Sequence, residues 1–245
     1  MNLNLKNKKA LVMGASAGIG KAIAESLINE GAEVYICSRS EQKLRDCQED
    51  IGAAGYEVCD LSQPLASKAL IERVIARIGQ IDILVTNTGG PAKANFLDVS
   101  DEQWHLDFQS IWMSPVESIK AVLPHMKENN YGRVIMVTSL AAKEPILGLT
   151  TSNGLRAGLS GLGKTIANEF SAFGITINLL LPGYTNTDRL KSLKLSDEQI
   201  KTMVPAGRLG EPSELADLAT FLASEKGSYI TGQSIAVDGG VLKGH

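Results

Sequence analysis

Short runs of apolar residues alternate along the chain with longer stretches in which apolar positions recur every three or four residues. The run Ala10–Met13 reads as a strand, Ile19–Asn29 as a helix and Glu33–Cys37 as the next strand, so the chain opens with a βαβ unit. Further strands are predicted at Tyr56–Cys59, Ile81–Thr86, Arg133–Thr138, Thr176–Leu181 and Ser234–Val237. Helices are predicted over 41–52, 64–78, 101–128, 151–172 and 212–224. Strands joined by helical crossovers predict an α/β fold: a Rossmann-type, doubly wound sheet of about seven parallel strands with helices on both faces. In such a sheet ligands bind just beyond the strands' C-terminal ends. No proline-rich or serine-rich linker interrupts the pattern, so 1–245 is expected to be one dinucleotide-binding and catalytic domain.

Composition narrows the functions. The chain has 24 basic and 27 acidic residues, a formal charge of −3, and so lacks the basic field that nucleic acid or an anionic membrane selects. The N-terminal stretch reaches a glycine-rich turn before it can supply a signal peptide's apolar core, and no apolar run approaches the ~20 residues that span a bilayer. A soluble, cytoplasmic protein is expected. Cys37, Cys47 and Cys59 lack metal-ligand spacing and read as buried thiols, while His105, His125 and His245 form no cluster, so no metal is expected.

The candidate chemistry starts after the first strand. Gly14-Ala15-Ser16-Ala17-Gly18-Ile19-Gly20 leads directly into helical sequence, placing backbone N–H groups and a helix N-terminus where a pyrophosphate can sit. The second strand ends Cys37-Ser38-Arg39, without the carboxylate that usually binds the ribose 2′-hydroxyl of NAD. Arg39 instead offers a planar cation suited to a 2′-phosphate, which favours NADP(H) over NAD(H); the alternative is a residue on a solvated face.

The glycine spacing, Asn87-Thr88-Gly89-Gly90 after the fourth strand, Val137-Thr138-Ser139, Asn178 followed by Pro182-Gly183, and Val237-Asp238-Gly239-Gly240 stand in an order that resembles the short-chain dehydrogenase/reductase family over nearly the whole chain. The resemblance implies cofactor contacts from Gly14, Ser16, Ala17, Gly18, Ile19, Gly20, Asn87, Gly89, Pro182 and Gly183, and from Asp60 and Leu61 at the adenine; a turn role for Asp60 is the alternative. It also implies a catalytic serine at Ser139. Where the family has its proton-exchanging tyrosine and its ribose-holding lysine, the register gives Ser152 and Arg156, and Ile111 stands in place of its asparagine. The segment Ser152–Arg156 is similar to a divergent, 3-oxoacyl-carrier-protein reductase-like subgroup. A serine hydroxyl is a poor acid near neutral pH, and a guanidinium cannot relay a proton, although it can still bind ribose. Tyr184, after Pro182-Gly183, is the alternative phenol, with wall packing as its bland reading.

Residues 188–211 are expected to form a substrate lid, with Leu190, Leu193, Leu195, Ile200, Met203 and Val204 as an apolar lining or simply as core. Helices 101–128 and 151–172 resemble those of the family's dimer contact and imply a homotetramer or homodimer. The leading function is NADP-dependent oxidation or reduction of a small-molecule carbonyl or alcohol at an atypical site. Nucleotide binding without redox turnover, and a non-redox enzyme of the same fold, are the alternatives.

Overall fold

The computed structural model describes residues 2–244, so His245 lies outside the described residues. The strands are β1 (Lys9–Met13), β2 (Glu33–Ser38), β3 (Gly55–Val58), β4 (Ile83–Asn87), β5 (Gly132–Val137), β6 (Ile175–Pro182) and β7 (Ser234–Val237). They form one seven-stranded sheet in the order β3-β2-β1-β4-β5-β6-β7, and every pairing is parallel. The order reverses direction between β1 and β4, which opens a crevice above their C-terminal ends. Ser234–Val237 coincides with its predicted strand; the other predicted strands are displaced by one or two residues at their ends.

The helices explain why the strands read as unbroken apolar runs. Helices α1 (Gly18–Asn29), α2 (Glu41–Ile51) and α9 (Pro212–Ala223) cover one face of the sheet; α3 (Ala66–Ile78), α5 (Ser114–Glu128) and α6 (Thr150–Phe170) cover the other. Burial on both faces removes any reason for alternation in the strands. In α1 the buried positions Gly20, Ile23, Ala24 and Leu27 follow the helical period that the sequence displays. The three cysteines are buried and free; burial pushes the Cys37 thiol up to about 12, which makes it inert.

The long helix predicted over 101–128 is corrected by the structure. It is α4 (Asp101–Asp107), a six-residue π-helical stretch at Phe108–Met113, and α5. Pro115 lies just beyond that stretch, and a proline ring collides with the carbonyl four residues back in an ordinary α-helix. Widening the turn around Ile111 relieves that conflict without ending the helical run. Segment 188–211 folds into two short helices, α7 (Asp188–Lys191) and α8 (Asp197–Met203), joined by turns. Among the described residues no helix is long and apolar enough to cross a membrane, and no group of histidine, cysteine or carboxylate side chains can hold a metal ion.

Candidate active site

The phosphate turn is built by close packing. The Asn87 side chain at the end of β4 donates from Nδ2 to the Gly14 carbonyl at 3.1 Å, tying β4 to the turn after β1. A Cβ on Gly20 would stand 2.4 Å from the Gly14 oxygen and 2.8 Å from Asn87 Nδ2, so only glycine fits there. Gly18 has φ +57°, and a Cβ on it would meet the Thr187 methyl at 3.3 Å. Helix α1 begins with Ala17 as its N-cap and receives no side-chain cap, whereas α2, α4 and α8 are capped by Ser40, Ser100 and Ser196. The opening N–H groups of α1 are therefore left for an anionic ligand.

Two cavities share Gly14, Asn87, Thr88, Gly89 and Gly90 and make one trench across the crevice. The first, ≈ 500 Å³, holds Arg39, Asp60, Leu61 and Ser16, and adds Ser38, Ser40 and Lys43, which the sequence analysis missed. Arg39 and Lys43 are exposed cations, and the Ser38 hydroxyl is buried without a hydrogen-bond partner. A buried hydroxyl without a partner is destabilising unless a ligand completes it. Two cations surrounded by three serine hydroxyls fit a phosphate monoester, and a dinucleotide's 2′-phosphate is such a group. Lys43 was legible: it stands at the third position of a helix whose cap is Ser40, one turn from Arg39. Asp60 makes the turn that its alternative reading describes, accepting from the Ser62 amide at 3.0 Å and hydroxyl at 2.8 Å. Burial raises its pKa, but those bonds and the Arg39 charge outweigh that and leave it lowered.

The second cavity, ≈ 430 Å³, brings together Ala17, Gly18, Ile19, Ser139, Ser152, Arg156, Pro182 and Gly183. Ser139 caps the short turn after β5 and accepts from the Ala141 amide at 3.2 Å. Ser152 and Arg156 lie on the buried stripe of α6 that continues through Leu159, Gly163 and Ala167, and Arg156 extends to the end of β5. Asn153 locks the preceding loop to this helix through two 3.0 Å bonds with the Ile146 backbone. Arg156 is 4% exposed, its Nε has no partner, and its Nη1 reaches the Val137 carbonyl only at 3.5 Å. Burial, and then the Arg189 charge, lower its pKa to about 10, so it stays cationic at neutral pH. A cation held this way leaves several kcal/mol of desolvation to be offset by whatever binds.

Among the described residues, no tyrosine, lysine or histidine lines this second cavity. Tyr184 is not brought to it: the chain turns after Gly183, and Tyr184 lines a separate pocket of ≈ 70 Å³ with Val204, Arg208 and Glu214. Nor does segment 188–211 present an apolar lining to the cleft. It contributes Asp188 and Arg189, while Leu193 is exposed and Val204 is buried in the Tyr184 pocket. Thr187, Asp188 and Arg189 line the cavity as well, and their sequence signal is closeness to Pro182-Gly183, not the hydrophobic pattern of this stretch.

Residues 14–242 match the family described as enoyl-(acyl carrier protein) reductase. The chain belongs to the short-chain dehydrogenase/reductase family of oxidoreductases. It is 36% identical over 243 residues to 3-oxoacyl-[acyl-carrier-protein] reductase FabG of Escherichia coli, covering 98% of this chain and 99% of that protein. A 3-oxoacyl (acyl-carrier-protein) reductase from Agrobacterium tumefaciens, solved with NADP bound, superposes with a TM-score of 0.93 at 31% identity, covering 98% and 96% of the two chains. An NADPH-bound short-chain oxidoreductase from Pseudomonas aeruginosa, described as containing an atypical catalytic center, gives a TM-score of 0.90 at 29% identity, covering 98% and 100%.

Proposed function

We propose that this protein is an NADP(H)-dependent oxidoreductase that interconverts a small carbonyl compound and its alcohol at an altered catalytic centre, with 3-oxoacyl compounds the first class to test. The observation that carries the reading is the single trench, which joins a two-cation, three-serine end to an end holding Ser139, Ser152 and Arg156 across a glycine turn built for close backbone approach. NADP-bound and NADPH-bound relatives support the cofactor, and the Pseudomonas aeruginosa relative supports redox chemistry at a departed centre. Ser16–Gly20 would hold the pyrophosphate, Arg39 and Lys43 the 2′-phosphate, Asp60 and Leu61 the adenine side, and Asn87, Gly89, Pro182 and Gly183 the nicotinamide half. Segment 188–211 acts as the lid.

When bound, the nicotinamide supplies or accepts a hydride at its C4. The chain's own residues do the rest. The Ser139 hydroxyl orients the substrate oxygen by hydrogen bonding. Arg156 binds ribose hydroxyls with part of its fork and places positive charge near the oxygen as negative charge develops on it, which is electrostatic stabilisation without proton transfer. Ser152 shapes the pocket, and the proton comes from water, since Tyr184 faces elsewhere. Binding without turnover is the second reading, favoured because among the described residues no phenol or ammonium lines the reacting half. Alcohol formation from a carbonyl panel with NADPH, against tight NADPH binding with no product, separates the two.

The cofactor assignment has its own test. Arg39→Ala is expected to weaken NADPH binding by about tenfold, the lower end for a lost charge-assisted contact because Lys43 remains, and to leave NADH nearly unchanged. Fluorescence titration of both nucleotides measures this; equal losses for both would remove Arg39 from the 2′-phosphate.

Oligomerisation is proposed through the outer faces of α5 and α6. Between these helices lies an apolar groove of ≈ 560 Å³ whose walls include Ile119, Leu123, Leu162, Ile166 and Phe170. Sedimentation equilibrium is expected to give a homotetramer, or at least a homodimer. A monomer at all concentrations would refute the assignment.

A further inference from the structure

The reacting half of the trench holds a pair of cations that the hydride chemistry leaves only partly used. Arg156 is nine-tenths buried or more and lines the cavity, and its Nε has no hydrogen-bond partner. Arg189 lines the same cavity and donates to the Gly90 and Pro91 carbonyls at 3.0 and 2.9 Å. Among the described residues neither guanidinium is paired with a carboxylate. Asp188, the one carboxylate among the described residues that line the cavity, has a side chain 92% exposed and lies 3.9 Å from Lys191. The two arginines sense each other: after burial, the Arg189 charge is what lowers the pKa of Arg156. Helix α6 adds charge of the same sign, because it starts at Thr150 without a capping side chain.

We infer that the substrate carries a carboxylate, held between the guanidinium groups of Arg189 and Arg156, and is therefore a 2-oxo or 3-oxo acid or the corresponding hydroxy acid. This rests on the redox reading above and narrows it. A carboxylate offers two acceptor oxygens to two forked donors and supplies the anion that neither cation has in the protein. Bound there, it brings the neighbouring carbonyl beside Ser139. A thioester or a simple ketone leaves the buried Arg156 cation without a counter-anion. The dinucleotide's phosphates compete for cations, yet they have separate donors: the uncapped α1 turn for the pyrophosphate, and Arg39 with Lys43 for the terminal phosphate. Arg156 belongs to neither set: it enters the cavity from another element, α6, beside Ser152.

The test is calorimetric titration of the NADP⁺-loaded protein, in which a ketone cannot be reduced. The ligands are 2-oxobutanoate and 3-oxobutanoate, each against its methyl ester. At least one acid is expected to bind about tenfold or more tightly than its ester, as charge-assisted bonds to a desolvated site imply. In Arg189→Gln, a substitution at an exposed position, that preference is expected to disappear while NADP⁺ still binds. Acids and esters binding alike, or not at all, would overturn the inference and leave the cofactor assignment standing. So would a preference that survives in Arg189→Gln, or a variant that loses NADP⁺ affinity with the acid-to-ester ratio unchanged. A protein that never takes up NADP⁺ would overturn the redox reading and this inference together.

Discussion

Valine at position 18 is expected to weaken NADPH binding by roughly thirtyfold or more while the protein remains folded. Gly18 sits at φ +57°, where a β-branched residue is a genuine outlier, and its Cβ would press on the Thr187 methyl at 3.3 Å. The local escape is a peptide reorientation, which turns the opening N–H groups of α1 away from the pyrophosphate. The loss therefore falls on affinity more than on folding. Gly20 makes a poorer test, since a Cβ there lies 2.4 Å from a backbone oxygen and attacks the β1–β4 packing itself. NADPH fluorescence titration beside a thermal melt decides the matter. A folded Gly18→Val protein with unchanged affinity would place the pyrophosphate somewhere else.

Ser139→Ala is expected to lower kcat/KM by about a hundredfold, the scale seen when one preorganised donor to a developing oxyanion is removed. Ser152→Ala is expected to stay within about tenfold, because a serine hydroxyl is too weak an acid to be a needed proton source near neutral pH. The two hydroxyls line the same cavity, so the contrast separates donor geometry from mere polarity. Tyr184→Phe is expected to be neutral, since its phenol lines another pocket. Steady-state kinetics on any accepted substrate measures all three. A Ser152→Ala protein that binds cofactor normally but has no turnover would make Ser152 a catalytic group and refute the passive role given to it.

The fold was legible because a sheet covered on both faces leaves an unusually plain record: apolar runs for strands and a three-to-four period for helices. Neither record carries a π-turn. Pro115 was the available warning, and its position inside a run that otherwise reads as one helix showed that the helix had to widen or end. The glycine turn could be placed from its context between a strand and a helix. Arg189 was harder, because it reaches its cavity through tertiary packing that brings a helix's first turn to another strand's end. Tyr184 shows the opposite limit: two residues of chain past Pro182 are enough to turn a phenol away from the cleft that sequence adjacency suggested.

We propose that hydride transfer survives at a centre built from Ser139, Ser152 and Arg156, where among the described residues no phenol or ammonium lines the cavity. Isotope transfer tests it most directly. The protein is incubated with NADPH bearing deuterium at the reactive C4 position and with a panel of oxo acids and their esters, and products are read by mass spectrometry. One deuterium is expected on the carbinol carbon of at least one product, strongly diminished in Ser139→Ala and retained in Ser152→Ala. Tight NADPH binding with no deuterium in any product would contradict it and leave a nucleotide-binding protein without turnover.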